Sequence, residues 1–199
     1  MIQFGEFLPD QPALGSTGAT VAKNVIPAAK GYRCFQALSA LSGAATNKIL
    51  GMFAGKDDDG NAALYAGDSG KLYKFTASDS SLTDKSKAGG YSTSSDDRWS
   101  AAQFGETILA TNYDDVIQTA TVNQAGVFAD LAGSPPKAKH IAVVRDQVMV
   151  ANVNDSVDGV KPYRIWWSGI NSATSWTSGT NLSDYQDVVD VGDCTGLVG

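Results

Sequence analysis

A recurring set of short apolar strands constrains this chain more than any other feature. From Ile49 onward, runs of five to seven apolar or alternating residues are separated by Gly, Asp and Asn clusters, the pattern of strands joined by tight turns. The first unit predicts strands at Ile49 to Gly55, Ala62 to Gly67 and Lys71 to Thr76, with Asp57-Asp58-Asp59-Gly60-Asn61 and Asp68-Ser69-Gly70 as turns. The second predicts Ser100 to Phe104, Thr107 to Thr111, Val116 to Thr121 and a fourth run at Val127 to Leu131. The third predicts His140 to Val144, Val148 to Val153, a polar excursion through Asn154 to Lys161, and Tyr163 to Ser168.

Equivalent positions recur at a steady interval. The middle strands carry Leu64, Ile108 and Met149, spaced 44 and 41 residues, and the next strands carry Leu72, Ile117 and Ile165, spaced 45 and 48. A β-propeller blade of four strands takes about 40 to 50 residues. The expected fold is therefore all-β: β-propeller-like, four-stranded antiparallel meanders over residues 49–199, about three blades. Cys194 to Gly199 reads as the innermost strand of a fourth. Three blades do not close a ring and leave exposed edges, so the expectation is an incomplete piece of a longer chain. Residues 1–48 read as an extended N-terminal arm, because Pro9, Pro12, Pro27 and scattered glycines interrupt any period of 2 or 3.6.

Composition narrows the function classes. With 43% hydrophobic residues, 18% charged residues and 21 glycines in 199 positions, the chain is folded and rich in turns. Lys and Arg number 15 against 21 Asp and Glu, a formal charge of -6, which disfavours tight binding to phosphate backbones. Cys34 and Cys194 form no CxxC pair and are too few for a disulfide scaffold, so a reducing compartment is expected. The N-terminus lacks a basic n-region and carries Glu6 and Asp10 where an export signal would be apolar. Apolar runs nowhere approach the ~18 residues that span a bilayer, and the expectation is a soluble protein.

The chemical motifs favour turn and core roles. His140 is the only histidine and stands beside an apolar strand without a nucleophile pattern, so no histidine-based hydrolase is expected. Asp57-Asp58-Asp59-Gly60 invites a calcium loop, but the sixth position is Ala62 instead of glycine and the twelfth is Asp68 instead of glutamate. Asp96-Asp97 and Asp114-Asp115 read as solvated turn charges and not as a glycosidase pair. Ser168-Gly169-Ile170-Asn171 followed by Trp176 departs from the sialidase aspartate box, with asparagine in place of the aspartate. No GxGxxG or GxxxxGK[ST] phosphate loop occurs. Trp99, Trp166, Trp167 and Trp176, with Tyr163, suggest a sugar platform, but strand alternation sends Trp166 and Trp167 to opposite faces and at least one into the core. No catalytic, cofactor-binding or metal residue is assigned, and the protein reads as no enzyme.

Several segments, in order, resemble the tail nozzle or packaged-DNA stabilisation proteins of short-tailed bacteriophages. They are Asn24-Val25-Ile26-Pro27, Gly31-Tyr32-Arg33-Cys34-Phe35, Gly70-Lys71-Leu72-Tyr73-Lys74, Ile141-Ala142-Val143-Val144-Arg145-Asp146, and Trp166-Trp167-Ser168 leading to Gly196-Leu197-Val198-Gly199. The resemblance is to the N-terminal part of much longer proteins. It implies a virion structural protein that assembles in the host cytoplasm into a homo-oligomeric ring, typically a hexamer, in the tail. The implied neighbours are the portal and adaptor above and other tail proteins such as a needle or fibres, with double-stranded DNA passing through without sequence-specific binding. An acidic lumen would let the duplex slide. The arm would contact a neighbouring subunit or ring. The competing expectation is a carbohydrate-binding or glycan-cleaving propeller used in host recognition.

Overall fold

The computed structural model describes residues 5–12, 14–28 and 31–199, which divide into two compact units, Met1–Leu41 and Ser42–Gly199. The first unit holds strands β1 (Val25–Ala28) and β2 (Gly31–Cys34), an antiparallel hairpin pairing Val25 with Cys34 and Ile26 with Arg33. The segment expected to be only extended thus contains a hairpin. A parallel bridge joins Phe7 to Ala19, with Leu8 N–H donating to the Ala19 carbonyl at 2.9 Å.

The second unit is all-β and consists of three four-stranded antiparallel meanders. The first comprises β3 (Gly51–Lys56), β4 (Ala62–Gly67), β5 (Leu72–Thr76) and β6 (Ser81–Asp84). The second comprises β7 (Ser100–Phe104), β8 (Thr107–Thr111), β9 (Gln118–Thr121) and β10 (Ala129–Asp130). The third comprises β11 (Lys137–Val144), β12 (Gln147–Asp155), β13 (Gly159–Trp167) and β14 (Asp184–Asp187), followed by a 3-10 turn at Val189–Val191.

Alternation along the strands builds two cores. Ala63, Tyr65 and Leu72 of the first sheet meet Ile108 and Ala110 of the second, together with Tyr91, Trp99 and Phe128. Leu109, between those two on β8, turns the other way and meets Ile141, Val148 and Val150 of the third sheet. The middle sheet is consequently covered on both faces, which is why Ile108, Leu109 and Ala110 are all buried. The sheets approach each other through their first strands: β7 contacts both β3 and β11.

Two hydrogen-bond devices repeat in every sheet. Each turn between second and third strands opens on an Asx side chain that accepts from the backbone three residues on: Asp68 from Lys71, Asn112 from Asp115, Asp155 from Asp158. As the chain leaves each fourth strand, a backbone N–H reaches back toward the third: Lys85 to Leu72 at the start of β5, Leu131 to Ile117 just before β9, and Val188 to Tyr163 in the middle of β13.

Four expectations need correction. The first sheet has four strands instead of three, because β6 is a short outer strand whose sequence, Ser-Leu-Thr-Asp, lacks an apolar run. The third sheet likewise gains β14, Asp-Tyr-Gln-Asp, for the same reason. The stretch from Asn154 to Lys161 is no excursion: β12 and β13 continue into it and pair Asp155 with Gly159 across a tight turn. Cys194 to Gly199 forms no strand; Cys194 instead donates its N–H to the Pro162 carbonyl at 2.8 Å and accepts from Asn152 Nδ2 at 3.2 Å.

Candidate functional site

The acidic turns are the first features to place. Asp57 is bound into its turn: its carboxylate accepts from the Asn61 N–H at 2.7 Å and from Asn123 Nδ2 of the second sheet at 2.8 Å. The Asn123 hydrogen bond is the main reason its carboxyl lies below the ordinary carboxylate range. Asp58 and Asp59 beside it are exposed. Asp114 accepts from the Ser94 N–H at 2.8 Å, and Asp115 from the Ser92 N–H at 3.0 Å. Asp97 pairs with Lys139 at 3.0 Å. Asp114 and Asp115 therefore tie the connection between the first and second sheets to the β8–β9 turn, and Asp97 ties that connection to β11. In a meander, the β3–β4 turn and the β8–β9 turn lie at opposite ends of the strands, so Asp57–Asp59 and Asp114–Asp115 do not form one patch.

The tryptophans are divided in the same way. Trp99 is 5% exposed in the first core, donates Nε1–H to the Asp68 carbonyl at 2.8 Å and meets the Tyr91 ring edge-on at 5.0 Å. Trp176 is buried in the second core and donates to the Ala173 carbonyl. Trp166 pairs with Val150 and packs against that second core, whereas Trp167 pairs with Met149 on the opposite face and donates to the Leu182 carbonyl at 3.0 Å. The expected split of Trp166 and Trp167 is the geometry found, and the indoles share no single surface.

His140 lies half-buried on β11; burial pushes its pKa down, against a hydrogen bond with the Cys194 backbone that raises it. Ser168 is fully buried, accepting from the Val148 N–H at 2.9 Å. Asn171 occupies a positive-φ turn whose N–H donates to the Asp146 carbonyl. Both residues serve the loop between β13 and β14. Among the described residues no group of three or more His, Cys, Asp or Glu side chains could hold a metal ion.

Sequence reasoning missed the most concentrated electrostatic feature. Arg164, 3% exposed, donates Nη1–H to Asp158 at 2.7 Å and grips Asp187 across the β13–β14 pair. Its guanidinium lies over the Tyr185 ring at 3.9 Å and faces Trp166 at 5.8 Å. A lone arginine at even spacing from Trp166 was the available signal, since 164 and 166 share a face. The cluster is a structural clamp on β14: the guanidinium charge is met by Asp158 from the β12–β13 turn and by Asp187 from β14.

A groove of about 740 Å³ between the second and third sheets is lined in part by Asp130, Pro135, Pro136, Lys137 and Asp155. Its carboxylates are committed, Asp130 to Lys87 and Gln118, Asp155 to its own turn. The outward faces are different. The first sheet turns Met52, Ala54, Leu64, Phe75 and Leu82 away from its core, Met52 being 63% exposed. The third turns Met149, Ile165 and Trp167 away from the second. No family model matches the chain, and no curated protein matches it.

Proposed function

We propose that the three sheets are blades of a β-propeller and that the chain is a virion structural protein of a bacteriophage tail, part of a ring under the portal and adaptor that retains packaged DNA and conducts it during ejection. The observation that carries the reading is the stacking of three equivalent meanders through their first strands, each left by the chain through the same hydrogen bond to the third strand. Radial repetition of this kind is how propellers are built. Resemblance to the tail nozzle proteins supplies the biological setting, and the formal charge of -6 suits a wall along which DNA slides without counterion release. The reading assigns no catalytic residue. A sugar platform is the weaker reading, since Trp99 and Trp176 are spent on two separate cores.

Electron microscopy of the assembled particle is the test. A ring on the portal axis with the Asp58–Asp59 turn toward its channel is the expected image; a monomer with sugar bound over exposed aromatic rings would replace this reading with the host-recognition one.

A further inference from the structure

Charge is segregated along the chain. From Gln11 to Lys56 there are five cations, Lys23, Lys30, Arg33, Lys48 and Lys56, and no acid. From Ile165 to Gly199 there are four acids, Asp184, Asp187, Asp190 and Asp193, and no Lys or Arg. Each of these ends also carries an open strand edge with exposed apolar residues.

At the N-terminal end, the β1–β2 hairpin pairs with no third strand among the described residues. Pro27 lacks an N–H and blunts the β1 side, which leaves β2 as the edge able to accept a further strand. A groove of about 270 Å³ runs along the hairpin, lined by Val21, Ala22, Lys23, Val25, Tyr32 and Arg33. Val21 is 70% exposed, and both Lys23 and Arg33 are exposed. At the C-terminal end, β14 is the outermost strand of the third sheet and, among the described residues, pairs only with β13. Leu182, Tyr185 and Val189 are exposed around it, as are Asp190 and Asp193. Asp187 is already taken by Arg164 and Asp184 by Ser178, so Asp190 and Asp193 are the acids offered outward.

We infer that the N-terminal hairpin of one copy docks on the β14 edge of a second copy, apolar side chains meeting at the centre and Lys23 and Arg33 facing Asp190 and Asp193. Strand addition supplies backbone hydrogen bonds to both open edges, and the opposite charges select the partner and the direction. The two patches differ, so the contact is head-to-tail, the type that closes into rings or continues as filaments. The inference rests on the ring reading only in requiring that copies of the chain meet one another. A nucleic acid would match the cations of the hairpin but not its open edge and apolar groove, which suit a protein strand.

Sedimentation of the full chain as a function of concentration and salt tests the contact. One variant carries Lys23→Glu and Arg33→Glu; another carries Asp190→Lys and Asp193→Lys. Each alone should weaken self-association about tenfold or more, and an equimolar mixture should restore it, because every hairpin then finds an oppositely charged edge on the other variant. The unaltered association should also weaken as salt rises. Variants that fail to fold would not recover on mixing, so recovery also certifies their fold. An unaltered chain that stays monomeric, or a mixture no better than its components, overturns the inference. So does loss of duplex-DNA binding with association intact. Electron microscopy separates the two proposals: a ring with no charge-swap recovery leaves the tail reading standing, and recovery in an assembly without a channel leaves only the docking contact.

Discussion

Arg164 holds Asp187 with two hydrogen bonds, Nε to Oδ1 at 2.6 Å and Nη2 to Oδ2 at 3.0 Å, and this pair fastens the outermost strand of the third sheet. The hydrogen bond from Arg164 is the main reason the Asp187 carboxyl lies below its ordinary range. Arg164→Met should destabilise the fold by about 1 kcal/mol, through the lost charge-assisted hydrogen bonds, since Asp158 and Asp187 are partly solvated and keep water as a partner. Adding Asp158→Asn and Asp187→Asn should recover much of that loss. Urea denaturation of the three chains decides it, and no recovery would mean that Arg164 acts through packing on Tyr185 instead.

Asp84 gives a pH dependence with a defined sign. Burial raises its pKa, but hydrogen bonds from Ser86, Oγ at 2.6 Å and N–H at 2.9 Å, and the 2.9 Å ion pair with Lys71 outweigh that and bring it to about 2. A carboxyl depressed from 3.8 contributes stability that is present above that pH and lost as pH falls toward 2. Ser86→Ala should move the Asp84 titration upward and shift the acid unfolding midpoint to higher pH. Carboxyl NMR titration reads the first effect and circular dichroism the second.

Gly67 lies against the Trp99 indole, and a Cβ there would collide with its ring atoms Cδ1, Nε1 and Cγ. Gly67→Ala should therefore cost about 2 kcal/mol by overpacking, while Trp99→Ala should cost about 4 kcal/mol through lost burial and cavity. The double variant should be more stable than the sum of the two losses, because without the indole the new methyl has room. Thermal or denaturant unfolding of the cycle measures the coupling; strict additivity would contradict the contact.

Electrostatic sliding of DNA makes the remaining prediction. Asp58 and Asp59 are the exposed carboxylates of their turn, whereas Asp57, Asp114 and Asp115 are also structural. Asp58→Lys with Asp59→Lys should thus test charge with least damage to the fold. Genome ejection from assembled particles should slow at low salt and recover as salt screens the attraction. Equal rates at every ionic strength would remove the acidic-wall argument from the proposed function.

Strand order and most of the core were legible because side chains alternate with period 2 and turns announce themselves. Ala62–Gly67, Ser100–Phe104 and Thr107–Thr111 stand where alternation and flanking Gly, Asp and Asn put them. Two structural facts escaped that logic. Outer strands β6 and β14 carry no apolar run, since they are held by backbone pairing and by contacts such as Arg164 with Asp187. On β12 the register shifts between Ala151 and Val153, with Asn152 at φ 56, and the strand changes the face it buries without any glycine to signal it.

The chain by itself determined the all-β class, the repeat interval and the identity of the apolar strands, because these depend on local alternation and turn chemistry. Which sheet covers which was decided only in three dimensions. Leu109 and its neighbours Ile108 and Ala110 belong to different cores because sheets stand on both sides of β8. The same holds for the charges: aspartates that look solvated in sequence become turn staples or partners of Arg164 once distant strands are adjacent. A hydrogen bond between residues twenty or more positions apart has no local signature, so only tertiary structure could assign it.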